Sequence, residues 1–318
     1  MIRITEKNLI WLYFWLLIFE GALRKWIVPQ LSAPLLIVRD PVVILIYFVA
    51  LKKGVFPWNV WTISLMVLGM LMFLASLLNL DSNFFVSVYG LRTNILHFPF
   101  CFLMATRLGK EQFESIGEKM MFLLLPMGIL MGIQFLSSPD AFINTTAGGE
   151  GTQIEGTLGN IRPPGTFSFI TGAAEYLSIS CGMMLGLFMS KNFKVTEKYF
   201  WGLIGLVMAL SVSISRLALS YIAIVVAMMA VIVILRPSYL NRIMSAILVG
   251  SIAFILMLNF GFIQRGLSSF SERINAAGDA EKDSGGFLGR VMTDYITPFE
   301  MIDNVPPLGN GLGLGTSA

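Results

Sequence analysis

The sequence predicts an all-α membrane protein, a polytopic bundle of transmembrane helices. Hydrophobic residues make up 56% of its 318 residues and charged residues only 13%, proportions that lie outside those of soluble globular proteins. The apolar residues are grouped in runs of about 17–25, the length that a helix needs to cross a bilayer core of about 30 Å. The first run is followed by no small-residue cleavage site and leads into further runs, so we interpret it as a span and not as a signal peptide.

About nine apolar runs have the length and composition of a span. They lie near 8–28, 33–51, 58–79, 85–106, 117–137, 166–190, 199–215, 217–235 and 243–262. Charged residues interrupt the first two runs, and no loop separates the seventh from the eighth. The predicted domains are a bundle over residues 1–262, with an outer loop near 138–165, and the start of a large outer loop over 263–318.

Positive charges alternate between the ends of consecutive spans. One set of ends carries Arg3, Lys7, Lys52, Lys53, Arg107, Lys110, Lys119, Lys191, Lys194, Lys198, Arg236 and Arg242, and the other carries Arg24, Lys25, Arg39, Arg162 and Arg216. Because short cytoplasmic loops are rich in Lys and Arg, we expect the N-terminus in the cytoplasm and both outer segments in the periplasm or cell exterior. The alternation holds only if residues 215–217 form a turn between two spans.

Composition and motifs exclude several classes of function. Cys101 and Cys181 lie in apolar runs, and we interpret them as core residues and not as a disulfide. His97 is the only histidine, which excludes a multi-histidine metal site, and we interpret it as a neutral core residue. The sequence has no Gly-Lys phosphate loop, dinucleotide fingerprint, Asp-x-Asp cluster or basic nucleic-acid-binding face. We therefore expect no metal, cofactor or nucleic acid.

Arg216 stands near the middle of an apolar run from Tyr199 to Leu235 that is about twice as long as one span. An arginine at the bilayer centre costs at least ~2.5–3.5 kcal/mol, whereas at the end of a span its stem can reach the head groups. The charge alternation places Arg216 at such an end, either as an interfacial anchor or as a ligand of an anionic head group. In a continuous helix, Ser213, Arg216 and Ser220 would form one polar stripe.

Three arginines are predicted on the outer side. Arg162 precedes a Pro-Pro-Gly turn, Arg216 ends a span, and Arg290 lies in the last outer segment. Such cations suit a diphosphate, because they neutralise both the bound anion and the charge that develops on a leaving group. Glu175 is predicted on a face of the span 166–190 that is rich in small residues and buried in the bundle, where it would pair with a cation or orient a substrate hydroxyl.

Two further groups of charges interrupt predicted spans. Arg92 and His97 are about 140° apart around a helix, so they do not share a face unless Pro99 distorts it. Arg39 and Asp40 are predicted to form a local ion pair in a broken helix. We interpret both groups as having a structural and not a catalytic role.

Three motifs occur in order from about residue 155 onwards: "RPPGTFSF" opening a span, "SISRLAL" between two later spans, and "GRVMTDYITPFEMIDNVPPLGNGLGLG" in the last outer segment. In these motifs the sequence resembles the O-antigen ligase and polymerase superfamily, integral-membrane glycosyltransferases that act on undecaprenyl-diphosphate-linked glycans. Residues 1–154 match only in being hydrophobic spans.

The resemblance implies a bundle in the bacterial inner membrane, with a large periplasmic loop and a metal-independent, inverting transfer. The glycan would leave its lipid diphosphate for a hydroxyl of lipid A core, a growing glycan or a protein. Arg216 would contact the diphosphate, Arg290 would assist, and Arg162 is a further candidate. The family's acceptor-activating histidine lies further along the loop than Ala318, so we expect this chain to be the N-terminal part of a longer protein, or an inactive form.

Two other functions remain open at this point. A transporter or flippase of lipid-linked glycans would use Arg92, Glu175 and the Arg39–Asp40 pair as coupling groups, although we find no inverted repeat. The second is a non-catalytic scaffold of an envelope polysaccharide assembly complex.

Overall fold

A computed structural model shows that the chain is built of helices. It describes residues 5–78, 83–148, 153, 156, 159–189, 197–281, 292–293, 295–297, 299–300, 302 and 312. Every regular element within these residues is a helix, and none of them belongs to a strand. The predicted all-α class is therefore confirmed.

The helices follow one another with short connections. The α-helices in the described part of the chain are α1 (Glu6–Ala22), α2 (Ser32–Leu35), α3 (Arg39–Lys52), α4 (Val60–Leu78), α5 (Phe84–Leu91), α6 (Phe98–Arg107), α7 (Lys110–Leu136), α8 (Ile170–Met189), α9 (Glu197–Ser213), α10 (Arg216–Leu235), α11 (Leu240–Met257) and α12 (Gly261–Glu281). Two π-helical turns, Leu23–Ile27 and Arg92–Leu96, and three 3-10 turns, Pro29–Leu31, Phe142–Asn144 and Pro237–Tyr239, lie between them.

Five helices among the described residues are long and apolar enough to cross a membrane. They are α4, α7, α8, α10 and the segment Pro237–Met257 that contains α11. A sixth span results if Pro29–Leu35 and Arg39–Lys52, which meet at a bend of 40°, are counted as one broken span. The predicted spans 8–28, 85–106 and 199–215 correspond to shorter or interrupted helices, so the structure supports a membrane protein without confirming nine spans.

The chain divides into two compact units. Unit 1 contains Met1–Leu17, Ile37–Gly109 and Ala280–Ala318, and unit 2 contains Ile18–Leu36 and Lys110–Asp279. This division differs from the predicted boundary at residue 262, because α12 continues unit 2 where the sequence predicted the start of a loop.

Unit 1 has an apolar core to which α1, α3 and α6 contribute. Its most buried members include Ile10, Val43, Ile46, Phe100 and Leu103. At one end of these helices, Lys53 and Arg107 donate hydrogen bonds to the two carboxylate oxygens of Glu6, with an Arg107 Nη2 to Oε1 distance of 2.8 Å. This contact agrees with the prediction that the positive charges near 7, 53 and 107 lie on one side.

Unit 2 is organised around the pair α7 and α9. The two helices approach closely at Gly128 and Gly205, where backbone meets backbone. Helix α8 packs against α7 and α10, and the Tyr176 hydroxyl donates to the carbonyl oxygen of Met120 at 2.6 Å. Small residues therefore permit close contact between these helices, as is usual in membrane bundles.

Neither cysteine forms a disulfide. Cys181 is buried in α8, as predicted for a core residue, whereas Cys101 is an exposed residue of α6. The core prediction is therefore right for Cys181 and wrong for Cys101, because an apolar run alone does not show which helix face meets a neighbour.

Candidate anion site at the start of helix α10

The junction between α9 and α10 is a tight turn of two residues. Helix α9 ends at Ser213 and α10 begins at Arg216, so the predicted break at this point is present, although α9 is shorter than the candidate spans. Ile214 has a φ of +47°, a left-handed conformation that is costly for a β-branched residue, by ~1–3 kcal/mol. Ser215 caps α10, because its Oγ accepts a hydrogen bond from the Ala218 N–H at 3.2 Å.

Ser213, Arg216 and Ser220 do not form one polar stripe, because the continuous helix that a stripe would require is interrupted between Ser213 and Arg216. Ser213 donates to the carbonyl oxygen of Leu210 at 2.9 Å and belongs to the end of α9. Ser220 is exposed and donates to the carbonyl oxygen of Arg216 at 3.0 Å. The two serine hydroxyls thus donate hydrogen bonds to backbone carbonyl groups in two separate helices.

The segment that carries Arg162 lies against this junction. The Gly156 N–H donates to the carbonyl oxygen of Asn160 at 2.6 Å, and Ile161 is buried. A Cβ placed on Gly156 would be 3.1 Å from Cδ1 of Ile214 and 3.6 Å from Cγ of Arg162. Arg162 and the turn before Arg216 are therefore neighbours.

Helix α12 brings a further arginine to the same place. Gly266 packs directly on the carbonyl oxygen of Ser211 near the end of α9, a contact that leaves no room for a side chain. The Asn160 side chain donates to Oγ of Ser269, which is fully buried, at 3.0 Å. Arg273 follows Ser269 by one turn and shares its helix face with Gly266, so it projects from the packed side of α12.

The positive charges of Arg162, Arg216 and Arg273 act on one another. Burial, and then the charge of Arg216, lower the pKa of Arg162. Burial, followed by the charges of Arg162 and Arg216, lowers the pKa of Arg273, and its Nε is buried with no hydrogen-bond partner in the described structure. Arginines stay protonated despite such shifts, so the fold holds three repelling cations together.

The start of α10 adds to this positive potential. The first N–H groups of a helix lack partners within the helix and carry about half of an elementary positive charge between them. Arg216 is the first residue of α10, so its guanidinium and these N–H groups lie at the same helix end. An arrangement of this kind attracts an anion with several oxygen atoms, such as a phosphate.

The structure brings two of the predicted site residues near one another. Arg162 and Arg216 are brought together, whereas Arg290 lies outside the described residues. Glu175 is exposed on α8 and forms no ion pair with any described residue, so the prediction of a buried face around it is wrong. The buried side of α8 is formed instead by Ala173, Ala174, Leu177 and Ser180.

Arg273 is the site residue that the sequence interpretation missed. The region from 263 onwards was predicted to be loop, which gives its residues no defined face. A signal was present, because Ile263, Gly266, Ser269 and Arg273 recur at intervals of three or four residues. This periodicity predicts a helix with a small-residue face, and the structure shows one.

A second cluster of charged residues lies in unit 1. The Asp40 carboxylate accepts hydrogen bonds from Arg92 Nε and from His97 Nε2, the latter at 3.1 Å. The Tyr13 hydroxyl lies within hydrogen-bond distance of the other ring nitrogen of His97, Nδ1, at 3.3 Å. The π-helical turn Arg92–Leu96, and not Pro99, distorts the helix so that Arg92 and His97 reach one partner.

Unit 2 also contains an apolar groove of about 450 Å³ between α7 and α9. Its lining consists of Phe122, Leu125, Pro126, Ile129, Trp201 and Gly202. The groove offers an apolar ligand a surface but no charged group to orient it. The arginine cluster is therefore the stronger indication of function.

No family model, curated protein or solved structure matches the chain. Among the described residues, no group of three or more His, Cys, Asp or Glu side chains is arranged to hold a metal ion.

Proposed function

We propose that this chain is an integral-membrane glycosyltransferase of the O-antigen ligase and polymerase type. In this proposal Arg162, Arg216 and Arg273 bind the diphosphate of an undecaprenyl-diphosphate-linked glycan, and the glycan is transferred to an acceptor hydroxyl. The observation that carries the proposal is the packing of the Arg162 segment and of α12 against the end of α9, which brings the three positive charges into electrostatic interaction near the start of α10.

The position of the cluster favours a lipid-linked anion over a free one. Helix α10 is apolar over 20 residues and is a candidate span, so its first residue lies at the depth of lipid head groups when the helix crosses a bilayer. Arg216 therefore has its charged group at the interface and its helix in the hydrocarbon core. Three cations also match a diphosphate better than a singly charged ligand, because more of their charge is neutralised.

The arrangement suits displacement of a diphosphate. The acceptor oxygen forms a bond to the anomeric carbon while the bond from that carbon to the diphosphate oxygen breaks, which inverts the configuration. Negative charge then grows on the departing lipid diphosphate, where preorganised guanidinium groups stabilise it. The resemblance assigns the acceptor proton to a histidine of the family's outer loop and a supporting role to Arg290.

The proposal includes the finer predictions from the sequence. We place about nine spans in the bacterial inner membrane, the N-terminus in the cytoplasm, and the segments 138–165 and 263–318 in the periplasm. The acceptor is lipid A core, a growing glycan or a protein. The transfer is independent of metal, as the resemblance implies.

Binding of undecaprenyl diphosphate to the protein in lipid nanodiscs tests the proposal. The variants are Arg162→Ala, Arg216→Ala and Arg273→Ala. Loss of one charged hydrogen bond costs ~1.5–3 kcal/mol, so each variant should bind about ten- to a hundredfold more weakly. The matched control is Arg265→Ala, because Arg265 is exposed on the same helix as Arg273. Unchanged affinity in all three site variants would contradict the proposal.

Two comparisons define the ligand and the reaction. Undecaprenyl monophosphate should bind more weakly than the diphosphate to the unchanged protein, and the difference should shrink in the arginine variants. In cells, the rate of glycan transfer by each variant should decrease in proportion to its loss of affinity for undecaprenyl diphosphate. Normal transfer by Arg216→Ala would remove Arg216 from the reaction.

The cluster around Asp40 favours a second candidate function, a flippase or transporter of lipid-linked glycans. Asp40 and Arg92 are charged residues within interrupted membrane helices, a combination that is frequent in transport pathways. In that case Asp40→Asn abolishes lipid movement across vesicles while diphosphate binding at Arg216 persists. Glycan transfer without any lipid movement favours the enzyme.

A further inference from the structure

We infer that Lys25 and Gln134 form a clamp on the peptide of Gly165 that positions Arg162 for the diphosphate. The inference rests on the proposed function, because it assigns these two residues to the same binding site. Neither residue contacts the ligand in this inference, so both are positioning residues. The clamp belongs entirely to unit 2.

Lys25 directs its ammonium group at the loop that follows Arg162. Lys25 is only 1% exposed, and its Nζ donates to the carbonyl oxygens of Gly165 at 2.6 Å and Phe167 at 2.8 Å. The ring of Trp26 lies 4.4 Å from the same nitrogen. A buried ammonium is strongly unfavourable unless its donors are satisfied. The two carbonyl groups must therefore face Lys25, which restricts the conformation of the loop.

Gln134 holds the same peptide from the other side. Its Oε1 accepts from the Gly165 N–H at 2.8 Å, and its Nε2 donates to the Gly165 carbonyl oxygen at 3.3 Å and to that of Ile143 at 3.1 Å. Gln134 is fully buried, and the side chain of Asn144 donates to its backbone oxygen at 3.1 Å. Both hydrogen-bonding groups of Gly165 are thus bound by one amide side chain.

The backbone conformation and the close packing of Gly165 require a glycine at this point of the loop. Its φ is +61°, and a side chain at this position would collide with Sδ of Met127. Pro163 and Pro164 separate Gly165 from Arg162, and both are buried. Because each proline fixes φ near −65°, the orientation of Gly165 is transmitted to Arg162 with little freedom.

The clamp acts on one side of Arg162, and α12 holds the other side. Asn160 is bound to Ser269 of α12, so the segment between Asn160 and Gly165 is fixed at both ends. Arg162 lies between these anchors and close to two other cations, which repel it. We therefore expect the loop to turn Arg162 away from the site when the clamp is removed.

A double-mutant cycle separates positioning from a general effect on stability. Lys25→Met removes both hydrogen bonds while keeping a long side chain, and we expect it to weaken the binding of undecaprenyl diphosphate about tenfold, the loss of ~1.4 kcal/mol. If Lys25 acts through Arg162, the double variant Lys25→Met, Arg162→Ala binds no more weakly than Arg162→Ala alone. In contrast, Lys25→Met and Arg273→Ala should have additive effects.

If Lys25→Met does not fold, the same double-mutant cycle can be measured with Gln134→Met in its place. The control is Lys52→Met, which changes an exposed lysine and should leave the affinity unchanged. Additive losses for Lys25→Met with Arg162→Ala, or no loss in either clamp variant, overturn the inference. The proposed function fails separately, if the single arginine variants bind undecaprenyl diphosphate normally.

Discussion

Gly128 of α7 and Gly205 of α9 are in direct backbone contact. A Cβ added to Gly128 would lie 2.5 Å from the carbonyl oxygen of Gly205, and one added to Gly205 would collide with the backbone of Leu124. Backbone atoms cannot rotate away as the end of a side chain can. In lipid, where van der Waals contact is a main source of helix association, such a contact is important for the stability of the pair.

We predict that Gly128→Ala destabilises unit 2. The extra methyl group forces α7 and α9 apart, at a cost of ~1–3 kcal/mol that exceeds the gain of about 1 kcal/mol in helix propensity. Gly186→Ala in α8 is the matched control, because no atom lies within 4 Å of its Cβ position. Denaturant unfolding in detergent measures both, and an equal response would show that the glycine contact is unimportant.

The cap of α10 gives a second prediction. Ser215→Ala removes the acceptor for the Ala218 N–H and should lower the free energy of unfolding by ~1 kcal/mol. The fraying of the first turn also moves Arg216, so we expect weaker binding of undecaprenyl diphosphate. Ser220→Ala changes an exposed hydroxyl of the same helix and should shift stability by less than ~0.5 kcal/mol. Equal effects of the two variants would argue against the cap.

The carboxylate of Glu6 predicts a pH dependence. Hydrogen bonds from Lys53 and then Arg107 lower its pKa from 4.5 to about 2. Because the folded pKa is depressed, the stability from this contact is complete above pH 4.5 and is lost as the pH falls towards 2. The thermal unfolding temperatures of the unchanged protein and of Glu6→Gln, measured across this pH range, should become equal at its acidic end, near pH 2.

Glu114→Gln is the control for this titration. Glu114 lies in α7 and is 3.7 Å from Lys110 in a solvent-accessible pair, which contributes little to stability. Its unfolding curve should follow that of the unchanged protein at every pH. A constant difference between the unchanged protein and Glu6→Gln down to the lowest pH would contradict the assigned role of Glu6.

Asp40 provides a fourth prediction. Asp40→Ala leaves Arg92 and His97 without their common acceptor, and breaking a buried ion pair costs ~3–5 kcal/mol. Tyr13→Phe removes only the hydrogen bond to Nδ1 of His97 and should cost ~1 kcal/mol. Denaturant unfolding measures the loss of unfolding free energy in each variant, and the loss in Asp40→Ala should be the larger one. A larger loss in Tyr13→Phe would contradict the assignment of Asp40 as the common acceptor.

The parts of the site that could be predicted depend on short-range patterns. The turn before Arg216 follows from the alternation of positive charges, since that rule compares loops along the chain. Arg162 is a candidate in the sequence because a rigid Pro-Pro-Gly turn follows it, and the structure places it near the turn before Arg216. Glu175 was misplaced because the small residues around it mark a buried face only if another helix lies there.

The contribution of Arg273 and Lys25 could not be predicted in the same way. Lys25 binds a carbonyl group that is 140 residues away in sequence, and no local pattern indicates that partner. Its charge predicted only the side of the membrane on which it lies. Arg273 reaches Arg162 and Arg216 because Gly266 lets α12 approach the end of α9.

The sequence by itself determined the helical class, the membrane character and the helix break before Arg216. These properties follow from the length of apolar runs and from the transfer free energy of charged groups, which are local or additive along the chain. The tertiary structure alone decided which cations share a site, which face of α8 is buried and what holds the Arg162 loop. These depend on contacts between distant segments, where packing and hydrogen-bond geometry select one partner among many.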